Sequence, residues 1–394
     1  MMKKLFSSLL SPPVQVTLII ALIFVFGNAL PYSLLQALLT ACVFIKTILS
    51  FCLPWLVFFF LFLSLSRMQS GVISFVIVLV SFFILSNFIA NMFGFSAAQI
   101  LNAHPELCPQ RPSEIRKALV PFFEFHIEPI IPTKGGLALG FILGFTARYM
   151  SEKTLAFGQL VGRRFIDLFI NKFFVPVLPL FIGGYVAKLN YEGALDNMFQ
   201  DYAPLVLLIF GFQMLYCIVL LLLATKFNMA EFRRLVKDMI PPYITGMMTM
   251  SGSAALPLSI KAIKKHLKDP DMADAFLPPA TNVHLLGDGI SVPFLIIATA
   301  IAFGHSIPGT SVLIMSSLYM AFLRFGIVSI PGGGIFVMIP ILEGTFGFTG
   351  EMTGLITAIY ILFDVFNTAN NVLANGASAV LFSNTWTAFK SKRG

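Results

Sequence analysis

Residues 364–375, DVFNTANNVLAN, put one carboxylate, four amides and a hydroxyl inside the apolar run TGLITAIYILFDVFNTANNVLANGASAVLF. On a helix of about 100° per residue with Asp364 at zero, Asn367 falls at about −60°, Thr368 at about +40°, Asn371 at about −20° and Asn375 at about +20°. Tyr360 shares this face, whereas Asn370 lies off it. An isolated ionised carboxylate at the centre of a bilayer costs at least ~2.5–3.5 kcal/mol on insertion scales, so Asp364 must face a partner or a polar cavity. One Asn or Thr commonly serves as hydrogen-bond glue between membrane helices. A carboxylate with several neutral hydrogen-bonding companions over three turns points instead to a face that binds a solute. A desolvated ammonium asks for one carboxylate, and a solute carboxylate suits the N–H groups at helix ends.

Elements that position such a face must bring polar backbone to membrane depth. Gly, Pro, Ser and Asn interrupt the apolar second half at MSGSAALPLS (250–259), LPPATNVHLLGDGIS (277–291) and SIPGGGIFVMIP (329–340). Broken backbone at that depth is tolerated only where protein buries it or where it lines a wet cavity. Paired interruptions are a mark of transport sites formed by discontinuous helices. The small residues Ser251, Gly252 and Ser253, and the run Ile330, Pro331, Gly332 to Gly334, suit two tight tips with N–H groups beside a bound solute. His284 and Asp288 are four apart, on one face of any local helix. They read either as an ionisable pair for proton movement or as a hydrogen bond that steadies a broken helix.

The composition agrees with a membrane setting. The chain has 394 residues, of which 57% are hydrophobic and 11% charged, and its mean hydropathy is +0.88. A soluble domain of that size cannot hide so much apolar surface. Spans are placed near residues 14–33, 36–65, 70–94, 135–148, 155–187, 203–225, 276–303 and 353–385, with re-entrant segments among the last few. Lys3 and Lys4 precede the first run, which is read as an uncleaved first helix because it is long and lacks a small-residue cleavage site. The net charge of +8 follows topology. Outer loops hold Arg111, Arg116, Lys117, Lys134 and Lys188, while inner loops and ends hold a larger set that includes Arg163, Arg164, Lys261, Lys264, Lys265 and Lys390. That bias puts both termini in the cytoplasm and removes the case for a nucleic-acid partner. Cys42, Cys52, Cys108 and Cys217 have no metal or disulfide spacing.

Together these stretches resemble the dicarboxylate/amino acid:cation symporter family, the glutamate transporter group. The family's last helix carries D-x-x-R-T-x-x-N-V-x-x-D, and this chain has Asp364, Asn367, Thr368, Asn371, Val372 and Asn375 at the named positions. Its serine-rich first hairpin ending in Leu-Pro is similar to Ser251-Gly252-Ser253-Ala-Ala-Leu256-Pro257, and its Pro-Gly-x-Gly second tip to Pro331-Gly332-Gly333-Gly334. The resemblance implies an all-α polytopic membrane protein of eight transmembrane helices plus two re-entrant hairpins, assembled as a homotrimer in the bacterial inner membrane. It implies scaffold helices in 1–69 and 99–188, and a transport domain in 70–98 and 189–394 that carries solute by an elevator motion. Asp364 would take a substrate α-ammonium, with Thr368 and Asn371 hydrogen-bonding the substrate and Ser251, Gly252, Ser253, Ile330, Pro331, Gly332 and Gly334 closing over it. The expected function is secondary transport of an amino acid or dicarboxylate, with no cofactor beyond a coupling cation.

The departures from the pattern bear on substrate and ion. Acidic-substrate members have an arginine where this chain has Asn367, and an amide cannot supply that charged fork. Arg324 either replaces it from another direction or is a structural or snorkelling charge. Asn375 stands where a sodium-site aspartate is expected, and the Asn-Met-Asp-Gly-Thr break is replaced around His284, Gly287 and Asp288. Coupling is therefore open between Na⁺ and H⁺, with His284, Asp288, Asn371 and Asn375 as the ion-coupling candidates. No confident metal site is read. An exchanger, or an ion or anion channel of the same fold without sodium coupling, is the alternative. No HExxH or GxSxG occurs, which argues against an enzyme.

Overall fold

The computed structural model describes residues 15, 18–19, 22–23, 25–66, 73–108, 119–123, 125, 127–131, 133–191, 198–326 and 333–391. These are nearly all helical, with no strand among them. Three described runs are long and apolar enough to cross a membrane, namely Ser74–Ala103, Tyr202–Ala224 and Asp271–Ala302. Apolar helices in a chain of this composition mean a membrane protein.

The chain divides into two compact units. The first comprises Met1–Ser70, Pro109–Ala203 and Gly350–Ala358. Its long helix α1 (Tyr32–Ser66) packs against α3 (Thr133–Thr146), α4 (Glu152–Ile166) and α5 (Val175–Tyr191), while α2 (Ile73–Ala98) belongs to the second unit. Phe62 and Leu63 of α1 are buried with Ala147, just past α3, and Phe58, Leu143 and Leu155 close around them. The connector after residue 118 runs extended along α1. Thr40 Oγ1 accepts from the Phe122 N–H at 2.8 Å, and Thr47 Oγ1 donates to the Phe125 carbonyl at 2.9 Å.

The second unit comprises Gly71–Cys108, Pro204–Thr349 and Ile359–Gly394. It contains α2 (Ile73–Ala98), most of α6 (Met198–Ala224), the pair α7 (Met229–Thr249) and α8 (Gly252–Ile263), and α9 (Asp271–Val283) followed by α10 (Leu286–Ala302). Next come α11 (Thr310–Leu323), α12 (Gly333–Gly344) and most of α13 (Gly350–Ser391).

α7 and α8 form a helical hairpin. Met250 turns the chain in the left-handed region at φ 50°, and the Ser251 hydroxyl then caps α8 by accepting from Ala254 N–H. A left-handed residue followed by a serine N-cap ends one helix and starts the next within two residues. The open base of the hairpin is tied by charge. His266 Nδ1 lies 2.6 Å from Glu231 Oε1 and Nε2 lies 3.0 Å from Asp238 Oδ2, while Lys265 Nζ lies 2.8 Å from Asp238 Oδ1.

Between α9 and α10 the helix breaks at His284 and Leu285, both in non-helical backbone. A break inside a buried apolar unit leaves main-chain groups that must find side-chain partners. Asn87 of α2 supplies two, donating to the Val283 carbonyl at 2.7 Å and accepting from the Leu285 N–H at 3.2 Å. Gln213 of α6 donates to the Gly287 carbonyl at 2.9 Å, and Asn371 of α13 accepts from the Gly287 N–H at 2.7 Å. Helices α2 and α13, distant in sequence, thus replace missing helical hydrogen bonds, and α6 adds a side-chain donor at Gly287.

Candidate functional site

A cavity of about 50 Å³ opens within the second unit where this break, the α8 start and α13 meet. Its polar wall includes Thr281, Asn282, Asp288, Asp364, Thr368, Asn371 and Asn375, and Met250, Gly252, Gly334 and Tyr360 also line it. Room of that size holds about four waters or the polar head of a small solute, and the wall offers them hydrogen-bond partners.

Two buried carboxylates face this space in different company. Asp288, in the first turn of α10, accepts from the Tyr360 hydroxyl through Oδ1 and from Asn371 Nδ2 at 2.7 Å through Oδ2. The α12 N-terminal turn lies against the same pair. A Cβ at Gly334 would overlap the Tyr360 hydroxyl and come within 3.2 Å of Asp288 Oδ1, so only glycine lets α12 approach. The positive end of α12 at a carboxylate is electrostatically favourable. Asp364 lies one turn beyond Tyr360, with the Thr368 hydroxyl 3.4 Å from its Oδ1.

The α8 start completes the wall at Gly252. Ser251 is half-buried and spends its hydroxyl on the cap, and Ser253 is exposed; neither lines the cavity. Ile330, Pro331 and Gly332 lie outside the described residues, so Gly334 is the described part of the second tip.

Asn367 departs from the sequence expectation of a solute contact. It is fully buried and is not part of the cavity wall; its Oδ1 instead accepts from Gln213 Nε2 at 2.7 Å. The reason is a partner on α6 that lies at the edge of the polar arc. Gln213 also accepts from Asn370 at 2.6 Å, which accounts for the amide that lay off the stripe.

The shared helical face expected for His284 and Asp288 is also corrected, because the break falls between them and turns them apart. His284 Nδ1 meets Asn375 Oδ1 at 2.6 Å and Nε2 meets Ser86 Oγ at 2.9 Å. Phe82, Phe83 and Phe276 surround the imidazole ring, with centroids 5.9, 5.2 and 6.2 Å away. Its link to the cavity runs through Asn375.

Arg324 does not reach the cavity wall either. It follows α11, is 0% exposed, and binds Asn87, Asn91 and the Leu285 carbonyl behind the break. Both the substitute-arginine and the snorkelling readings give way to a buried internal charge.

Sequence reasoning missed Asn87, Asn91 and Gln213. Their signal was present, since each is an amide inside an apolar stretch, Asn87 and Asn91 in ILSNFIANMFG and Gln213 in IFGFQMLYC. Among the described residues no group of three or more His, Cys, Asp or Glu is placed to hold a metal ion.

The sequence profile of the sodium:dicarboxylate symporter family matches residues 13–385. A serine/threonine transporter SstT from Acinetobacter baumannii (strain AYE) is 23% identical over 251 residues, which is 63% of this chain and 62% of that protein. The protein of the same name from Acinetobacter baylyi is 22% identical over 254 residues, covering 63% of this chain and 61% of the relative. The chain thus spans less than two thirds of the length of these curated relatives. The profile covers almost the whole sequence, including the hairpin, the broken helix and the polar last helix. The chain belongs to the sodium:dicarboxylate symporter family, a family of transporters rather than enzymes.

Proposed function

We propose that this protein is a secondary active transporter that binds an amino acid in the α8–α10–α13 cavity and carries it across the membrane by elevator-type alternating access. The second unit is the moving, solute-carrying body, and the first is the scaffold. The observation that carries this reading is the buried Asp364 carboxylate, which lines one cavity with the start of α8 and the polar face of α13. Asp364 binds the α-ammonium, Thr368 hydrogen-bonds the solute, and the positive end of α8 at Gly252 faces its carboxylate. Asn371 already uses both ends of its amide on Asp288 and the Gly287 N–H, so its part is to position the break.

A neutral amino acid fits better than a dicarboxylate. Asn367 replaces the arginine of acidic-substrate members and turns to Gln213, and Arg324 is spent behind the break. The curated relatives are named as serine/threonine transporters, which supports a small hydroxylated substrate. Transport is driven by a cation gradient, with sodium indicated by the family and protons as the alternative. The positive-inside bias supports a multi-pass inner-membrane protein with cytoplasmic termini, and the family supports a trimer.

Uptake of radiolabelled serine, threonine, aspartate and glutamate into proteoliposomes, under separate sodium and pH gradients, tests this reading. Concentrative uptake of serine or threonine is expected in wild type and is lost in Asp364→Asn. Uptake unchanged in Asp364→Asn, or no gradient-driven uptake of any of the four, overturns it.

A further inference from the structure

Arg324 is the largest fully buried side chain of the described residues. Its guanidinium makes three described hydrogen bonds, all to neutral oxygens. Nη1 donates to Asn87 Oδ1 at 3.0 Å and to the Leu285 carbonyl at 2.8 Å, and Nη2 donates to Asn91 Oδ1 at 2.8 Å. Nε has no partner among the described residues.

The three oxygens are held before the cation arrives. Asn87 and Asn91 are four apart on α2 and so project from one face. Each amide is oriented from its other end. Asn87 Nδ2 donates to Val283 O at 2.7 Å and Asn91 Nδ2 to Ser317 O at 2.8 Å, which turns both carbonyl oxygens toward Arg324. The third oxygen is the Leu285 carbonyl at the helix break, which also accepts from the Gly289 N–H at 3.0 Å. The Asp288 carboxylate lies nearby on α10. A Cβ on the adjacent Gly289 would meet Ala90 Cβ of α2 at 2.8 Å and Arg324 Nη1 at 3.1 Å, so a side chain there would crowd both α2 and the guanidinium.

Two amide carbonyls and a main-chain carbonyl at a broken helix are oxygen donors that a hard cation takes from a protein. Burying a charge against neutral groups is costly when neutral side chains of the same shape could fill the space. A guanidinium here is best explained if the positive charge itself is what the site holds. We propose that Arg324 is a tethered cation that permanently occupies an oxygen-lined monovalent-cation site between α2 and the α9–α10 break. That site takes no ion from solution in the native protein, and a shorter neutral side chain opens it to Na⁺. The inference rests on the cation-coupled transport reading and narrows it, because this position then contributes no transported ion.

The test uses full-length protein in detergent without solute, comparing wild type, Arg324→Gln and Arg324→Lys in sodium chloride and in choline chloride of equal ionic strength. Glutamine is two atoms shorter than arginine, leaves the end of the pocket open and adds one more oxygen. Arg324→Gln is expected to gain a saturable sodium-specific rise in Tm, about 2 °C or more beyond any response of wild type. Arg324→Lys, which keeps the charge, is expected to respond as wild type does. Equilibrium binding of ²²Na⁺ should show about one additional ion per chain in Arg324→Gln, following the same mass-action linkage. Equal sodium responses in wild type and Arg324→Gln overturn the proposal. So does an Arg324→Gln protein that cannot be recovered folded in sodium, because a refillable site predicts rescue by the ion. Neither readout involves a solute, so their failure leaves the transport reading standing, and a failure of uptake leaves the ion result readable.

Discussion

Asn371 joins Asp288 to the main chain of the broken helix. Its Nδ2 donates to Asp288 Oδ2 at 2.7 Å while its Oδ1 accepts from the Gly287 N–H at 2.7 Å. One amide on α13 thereby orients the carboxylate and satisfies the adjoining backbone donor. Asn371→Leu removes both bonds and leaves two buried polar groups without that partner, each costing about 1–3 kcal/mol. Thermal unfolding should show a loss of about 2–6 kcal/mol, with Asn371→Gln intermediate. A Tm within 1 °C of wild type for Asn371→Leu would contradict this bridging role.

Asp364→Asn replaces the carboxylate by an isosteric amide that can still accept from Thr368. The variant should purify as a monodisperse protein, yet lose stabilisation by amino acids. A ligand at about 100 times its Kd stabilises the state it binds by about 2.7 kcal/mol, and that increment should vanish. Thermal-shift titration with serine checks it, and an intact serine response would remove Asp364 as the ammonium anchor.

Gly334 and Tyr360 should be energetically coupled. A methyl group at 334 meets the Tyr360 hydroxyl, the atom that also donates to Asp288. Gly334→Ala alone should be destabilising, and Tyr360→Phe should relieve part of that cost by removing the obstructing oxygen. A double-mutant cycle is expected to give a coupling of about 0.5–3 kcal/mol. Additive effects would mean that α12 does not rest on this hydroxyl.

The base of the α7–α8 hairpin supplies a pH dependence. Asp238, outside the three candidate spans, is held below the ordinary aspartate value of 3.8, first by the Lys265 hydrogen bond and also by that of His266. A carboxylate whose pKa is lowered on folding stabilises the protein above its unfolded pKa, and this is lost as pH falls through the folded value. The Tm difference between wild type and Asp238→Asn should therefore shrink as pH falls below about 4. A difference that instead grows on acidification would reverse the sign and count against the ion-pair account.

Much of the site can be read from the chain because its pattern is local. Helical spacing alone puts Asp364, Thr368, Asn371 and Asn375 on one face, and all four line the cavity. The run 250–259 reads as a tight tip, and Met250 and Ser251 make one. The run 277–291 reads as a break, which occurs at His284 and Leu285. Asn367 shows where this reading stops. Its angle lies at the edge of the arc, and only the presence of Gln213 on α6 decides that it faces away from the cavity. His284 shows the same limit, since a spacing of four implies a shared face only while the helix continues.

Local patterns along the chain are enough for the membrane character, the family, the polar stripe and the places where the helices must be interrupted. These follow from hydropathy, helical period and the backbone demands of Gly, Pro and Ser, all of which act over a few residues. Packing between distant helices settles which carboxylate faces which donor, that Asn87 and Asn371 satisfy the broken backbone, and that Arg324 lies behind the break. The physical reason is that a buried polar group must be satisfied, but its partner can come from any helix, more than 200 residues away in the case of Asn87 and Arg324.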